Sequence, residues 1–178
     1  YACGAKNIAV TGQGTIDGQG GAFPPPGAPR PERPMLVRLV GCENVSFKDV
    51  RLEGAASWCV HLVSCDTVTV DSVKMHNRVN LNNDGFDLDD CTNVSISNCQ
   101  LSCGDDVIAV KNAGRNIVVT NCVISSHCAA FRLGPESTGV IENFAASNCV
   151  IHDTYHCAIK LQSNEGGRIE NVVFSGMV

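Results

Sequence analysis

Residues 93–122, NVSISNCQLSCGDDVIAVKNAGRNIVVTNC, hold one phrase twice: NVSISNC opening at Asn93 and NIVVTNC opening at Asn116. Each copy alternates apolar and polar residues, the period of a strand with one buried face, and each ends on an Asn-Cys dipeptide. Related phrases occur outward in both directions: NIAVTG at Asn7, NVSFKDV at Asn44, TVTVDSV at Thr67, NFAASNC at Asn143 and NVVFSG at Asn171. From Asn44 onward the intervals are 23, 26, 23, 27 and 28 residues. Self-similarity at such a period denotes a solenoid. No segment within a period has helical spacing of apolar residues, so every unit is made of short strands. Parallel stacking of these units predicts an all-β chain, a right-handed parallel β-helix whose neighbouring rungs lie ~4.8 Å apart. A leucine-rich repeat does not fit, because no Leu-x-x-Leu-x-Leu frame occurs.

The repeat also explains the cysteines. There are 11 in 178 residues, an odd count with no Cys-x-x-Cys pair, which speaks against zinc and for packing. Cys99, Cys122 and Cys149 are expected to form an inward column, with Asn98, Asn121 and Asn148 as a stacked turn ladder beside it. Residues 1–178 read as one partial β-helix domain, cut within a coil at both ends. The Pro-rich insertion at 23–34 is an excursion from one coil, since proline does not fit a central strand. It is either a contributor to a binding rim or a tolerated surface loop.

Composition excludes several classes. The net charge is −5, with 13 basic and 18 acidic side chains. That balance disfavours a nucleic-acid binder, which needs clustered Lys and Arg. No run of 18 apolar residues is present to cross a membrane as a helix. The chain starts at Tyr1 rather than Met, so a signal peptide would lie outside it.

Aligning the coils by their apolar-x-apolar triplets sets Val60-His61-Leu62, Phe86-Asp87-Leu88, Ile108-Ala109-Val110, Phe131-Arg132-Leu133 and Ile159-Lys160-Leu161 in register, with the middle residues in one outward column. Asp84 and Asp106 each precede their triplet by two residues. They therefore fall side by side on adjacent coils, with Asp105 next to them. Like charges this close raise at least one pKa, since the second ionisation works against the first. One acid can then keep its proton while another carboxylate stays charged, as hydrolysis of a glycosidic bond requires. His127 falls one coil further on. Arg132 and Lys160 offer cations to an anionic ligand. Asp87, Asp89 and Asp90 read as a solvated turn.

The segments NNDGFD at 82–87, GDD at 104–106, SHCA at 126–129 and AIK at 158–160 resemble, in order and spacing, the four motifs of the family 28 glycoside hydrolases, the polygalacturonase family. Those motifs read Asn-Thr-Asp, Gly-Asp-Asp, Gly-His-Gly and Arg-Ile-Lys. The resemblance implies a right-handed β-helix that cleaves pectin backbones by inversion, without metal or cofactor. It implies Asp105 as general acid, Asp84 and Asp106 holding and deprotonating the water, and Asn82 contacting substrate. His127 would tune the acid by hydrogen bonding, and Lys160 would bind a uronate carboxylate. Trp58, His61 and Arg78 would line further subsites, Trp58 by stacking on a sugar, or else pack the rim.

The chain departs from these motifs at three places. Asn83 stands where the motif has Thr. Ser126 and Cys128 flank His127 in place of glycines, so the backbone cannot approach a sugar as closely. Ala158 stands where the motif has Arg, and Arg132 on the neighbouring coil is expected to supply the missing cation. The expected protein is an inverting hydrolase acting on an acidic, pectin-like polysaccharide, a monomer working outside the cell or in a periplasm. A β-helix polysaccharide lyase and a non-catalytic glycan-binding solenoid remain as alternatives.

Overall fold

The structure is a computed structural model and describes residues 1–25 and 32–178. It is a right-handed parallel β-helix with three faces. The first face stacks Ala2–Cys3, Val37–Val40, Val60–Val63, the opening of Phe86–Ser97, the opening of Ile108–Thr120, Ala129–Leu133 and Cys157–Leu161. The second stacks Lys6–Thr11, Glu43–Lys48, Asp66–Asp71, the later halves of the same two long strands, Val140–Ser147 and Arg168–Ser175. The third stacks Thr15–Asp17, Arg51–Glu53, Lys74–Asn77, Gln100–Cys103, Val123–Ser126 and Val150–His152. The paired strands on all three faces run parallel. Half of the insertion expected at 23–34, residues 26–31, lies outside the described residues.

The alternating phrases build the second face. Val45 and Phe47, Val68 and Val70, Val94 and Ile96, and Ile117 and Val119 all point inward and are essentially fully buried. Each such side chain contributes roughly 1.5–3 kcal/mol by leaving water. Phe47 meets Phe86, and Phe131 meets Phe144, edge to face inside the coil.

Cys99, Cys122 and Cys149 form the expected inward column, all buried. A second column, Cys42, Cys65 and Cys91, runs inside another corner; each thiol is set toward a backbone carbonyl, such as Cys91 to Leu62 O at 3.3 Å. All 11 cysteines are free, so the columns act by packing.

The Asn that opens each phrase turns the chain. Asn7, Asn44, Asn93, Asn116, Asn143 and Asn171 all have positive φ, between 53° and 58°. Asn tolerates this left-handed conformation better than branched residues. Their side-chain amides then bond from coil to coil: Asn116 Nδ2 donates to Asn93 Oδ1 at 3.0 Å, and Asn143 Nδ2 to Asn116 Oδ1 at 3.0 Å. Asn98, Asn121 and Asn148 repeat this geometry at the next corner, with Asn98 Nδ2 donating to Asp71 Oδ1 at 2.8 Å. Asn116→Ala is expected to lower unfolding stability by about 1–3 kcal/mol, combining left-handed strain with two lost exposed hydrogen bonds. Asn116→Gly, which carries no such strain, should cost clearly less; equal losses in urea titration would show that the turn conformation is not what selects Asn.

Candidate active site

Register brings the acid cluster together. Phe86 pairs with Ile108, and Gly85 N donates to Asp106 O at 2.9 Å. Asp84 is therefore held beside Asp106 on the next rung. A Cβ on Gly85 would lie 2.4 Å from Val107 O, so the residue after Asp84 has to be glycine for the rungs to close. Asn83 pins the segment from within: Oδ1 accepts from Val79 N at 2.8 Å and Asn80 N at 2.6 Å, and Nδ2 donates to Ala55 O and Ser57 O, both at 2.9 Å. Its backbone carbonyl also accepts from Gly104 N and Asp105 N. The Asn that replaces Thr here is therefore the anchor of both acidic motifs.

Asp84 is 4% exposed and Asp106 2%, while Asp105 is half-buried. Burial, then repulsion from Asp87 and Asp105, pushes the Asp84 carboxyl up to about 9. The crowding foreseen from sequence is present, and the carboxyl that it raises is Asp84. Asp106 is closely partnered: Arg132 Nη1 donates to Oδ2 at 2.8 Å and Ala129 N to Oδ1 at 3.2 Å.

Several expected residues sit differently. His127 makes no hydrogen bond to Asp105. Its Nε2 meets Arg78 Nη1 at 2.5 Å and its ring stacks on Tyr155 with centroids 4.5 Å apart. The glycine replacements take over next to the acids instead: Ser126 Oγ donates to Asp105 O at 2.8 Å and accepts from Cys128 N at 2.8 Å. The Cys128 thiol lies against the two carboxylates, where burial and hydrogen bonding to Asp106 push it up to about 12. Arg132 stands beside Lys160 in register, as expected, but spends its fork on Asp106 and on Gln162 Oε1 at 3.1 Å rather than lying free for a substrate carboxylate.

The outward column also differs from the expectation of open subsites. His61 is 5% exposed, and Trp58 packs edge-on against it at 4.9 Å. One face of Trp58 is covered by Lys111 Nζ at 3.7 Å, so that face cannot stack on a sugar. Beneath lies Asp87, fully buried and paired with Lys111 at 3.3 Å; it is an internal ion pair, not part of a solvated turn. Burial, partly offset by Lys111, pushes Asp87 up to about 7. Asn82 is exposed, and Arg33 Nη2 donates to its Oδ1 at 2.9 Å. Arg33, Lys111, Cys128 and Gln162 escaped the sequence reading as site residues, and Arg78, expected to line a subsite, meets His127 instead. Lys111 had a usable signal, because it follows the Ile108-Ala109-Val110 triplet on the rung next to Asp87.

Asp105, Asp106 and Cys128 place potential ligand atoms within 4.8 Å of one another. Both Asp106 oxygens are already engaged by Arg132 and Ala129, so the cluster is arranged for proton chemistry more than for a cation.

Fold and site together define a β-helical protein with an acid cluster suited to glycosidic-bond chemistry. The model of Glycosyl hydrolases family 28 matches residues 2–178, and the chain belongs to that family. It is 29% identical to a "Probable polygalacturonase" of Vitis vinifera, over 96% of this chain and 38% of that protein. It is 28% identical to an "Exopolygalacturonase" of Cochliobolus carbonum, over 100% of this chain and 46% of that one. A "Probable endo-xylogalacturonan hydrolase A" of Aspergillus fumigatus is 28% identical over 97% of this chain and 46% of its own length. The chain thus spans less than half the length of these relatives. In fold it matches a Thermotoga maritima exopolygalacturonase with TM-score 0.72 at 23% identity, covering 84% of this chain and 40% of that one. It also matches endopolygalacturonase I of Stereum purpureum with TM-score 0.70 at 19% identity, covering 92% and 51%.

The raised Asp84 carboxyl predicts a pH slope. The folded chain binds a proton at Asp84 that the unfolded chain releases near pH 3.8, so this group's stabilising contribution is full in acid and is lost as pH rises toward about 9. Asp84→Asn should therefore raise the thermal midpoint at pH 8 relative to the parent and change it little at pH 4. A gain equal at both values would mean that Asp84 is not protonated in the fold.

Proposed function

We propose that the protein carrying this chain hydrolyses the backbone of an acidic pectic polysaccharide, galacturonan or a substituted galacturonan, with inversion at the anomeric carbon. It would work as a monomer outside the cell or in a periplasm, with 1–178 as part of a single β-helix. The observation that carries this reading is the meeting of Asp84, Asp105 and Asp106 from adjacent rungs in one cluster that retains a proton.

The chemistry needs one protonated acid toward the leaving oxygen and one carboxylate on a water across the ring. Asp105, the most accessible of the three, is the acid. Asp106 is the base, its charge balanced by Arg132 at 2.8 Å. Asp84 Oδ1, buried and without a hydrogen-bond partner among the described residues, helps seat the water. Lys160, on the rung beyond Arg132, faces the uronate carboxylate, and Asn82 at the rim contacts a neighbouring sugar. His127 acts through Arg78 and Tyr155, shaping the wall beside the acid.

Asp105→Asn should lower reducing-end release from polygalacturonate by about 10²–10⁴-fold, the usual worth of a general acid. No product should absorb in the ultraviolet, since an unsaturated product would indicate a lyase. A substrate with an activated aryl leaving group needs no protonation, so it should restore turnover to Asp105→Asn and not to Asp84→Asn. The reverse pattern would make Asp84 the acid.

Arg132→Ala should lower kcat with little change in KM, because its partner is Asp106. A rise in KM with kcat preserved would instead place Arg132 on the substrate carboxylate.

A further inference from the structure

The outward side of the third face carries a groove of about 500 Å³ that shares no residue with the acid cluster. Arg51, Lys74 and Gln100 follow one another on successive rungs in one outward column. His76, Ser102 and Ser125 do the same in the next. Arg78, two residues beyond His76, lies across this second column. Its Nη2 donates to Ser125 Oγ at 2.6 Å while Nη1 reaches His127 beside the active site. Acidic groups are present too: Glu53 takes Arg51 at 2.5 Å and Asp153 takes His152 at 2.9 Å. Lys74 has no ion-pair partner among the described residues.

Cations therefore gather on one groove of a chain whose net charge is −5. The floor between them carries hydroxyl and amide groups from Gln100, Ser102 and Ser125 beside the apolar residues Met75, Leu101 and Val123. Cations match carboxylates, and hydroxyl and amide groups match sugar hydroxyls. Rungs repeating at ~4.8 Å present this chemistry along a line, which suits a polymer lying across several rungs. We propose that this groove is a second binding surface for an anionic glycan chain. It holds a strand of polymer outside the cleft while the acid cluster cuts, and Arg78 joins the two regions. The identity of the glycan rests on the function proposed above; the charge and shape of the groove do not.

The test uses the intact protein with Lys74→Gln and Arg51→Gln combined, two exposed positions whose thermal midpoint should match the parent. Affinity for polygalacturonate, measured in the inactive Asp105→Asn background, should fall roughly three- to tenfold, the worth of two exposed charge contacts. With Asp105 intact, hydrolysis of a short oligogalacturonate should not change. Equal polymer affinity in parent and variant overturns the groove. A single-stranded oligonucleotide bound through the same two residues as tightly as the uronate overturns its assignment to a glycan. If the parent cuts polygalacturonate but the variant binds it equally, only the groove falls. If the parent neither binds nor cuts it, the proposed function falls as well.

Discussion

The register between Phe86–Asp89 and Ile108–Lys111 is the constraint on which the rest of the molecule depends. Parallel strands one rung apart set equivalent residues side by side, and Asp84 and Asp106 precede equivalent residues. A slip of one position would turn every side chain of the strand to the other face, sending Phe86 outward and Asp87 into the core. The buried phenylalanine that stabilises the coil thereby also aims the acids. Folding and chemistry share one determinant here, and Gly85 is what lets the two rungs approach closely enough at that spot.

Bringing carboxylates together works against folding, and the site limits the cost in two ways. Asp84 keeps a proton. Asp106 and Asp87 each have a cation, Arg132 at 2.8 Å and Lys111 at 3.3 Å. Removing one partner of such a buried pair leaves an uncompensated charge, so the cations support the fold as well as the chemistry. Arg132 comes from the rung after Asp106, and Lys111 from the rung after Asp87. Both pairs therefore depend on the same stacking that creates the problem they solve. Lys111 in turn covers Trp58, which turns a residue that looks like a sugar platform into a lid over an ion pair.

The fold was legible because its signal is periodic and local. Asn at each corner, alternation along each strand and cysteine at the inward turn are properties of short windows, repeated often enough to be read without coordinates. The acid cluster was legible for a related reason: once the period is known, register follows by counting. His127 was misread in its contact because counting assigns a residue to a rung and a face but not to a neighbour. Arg78, from the loop after Lys74–Asn77, reaches it first. Arg33 was invisible in a similar way, since it arrives at Asn82 from 49 positions away, out of an excursion with no periodicity.

Sequence by itself determined the β-helix, the placement of Asp84 beside Asp105 and Asp106, and the column running from His61 through Arg132 to Lys160, because all three follow from a repeat and its register. Tertiary structure alone decided which carboxyl is raised, that Arg132 serves Asp106, that Lys111 covers Asp87 and one face of Trp58, and that Trp58 packs on His61. Those outcomes turn on burial and on where long, flexible side chains end. The period of a strand sets the direction in which a side chain leaves the backbone, but not the partner its charged tip reaches or how much water is left around it.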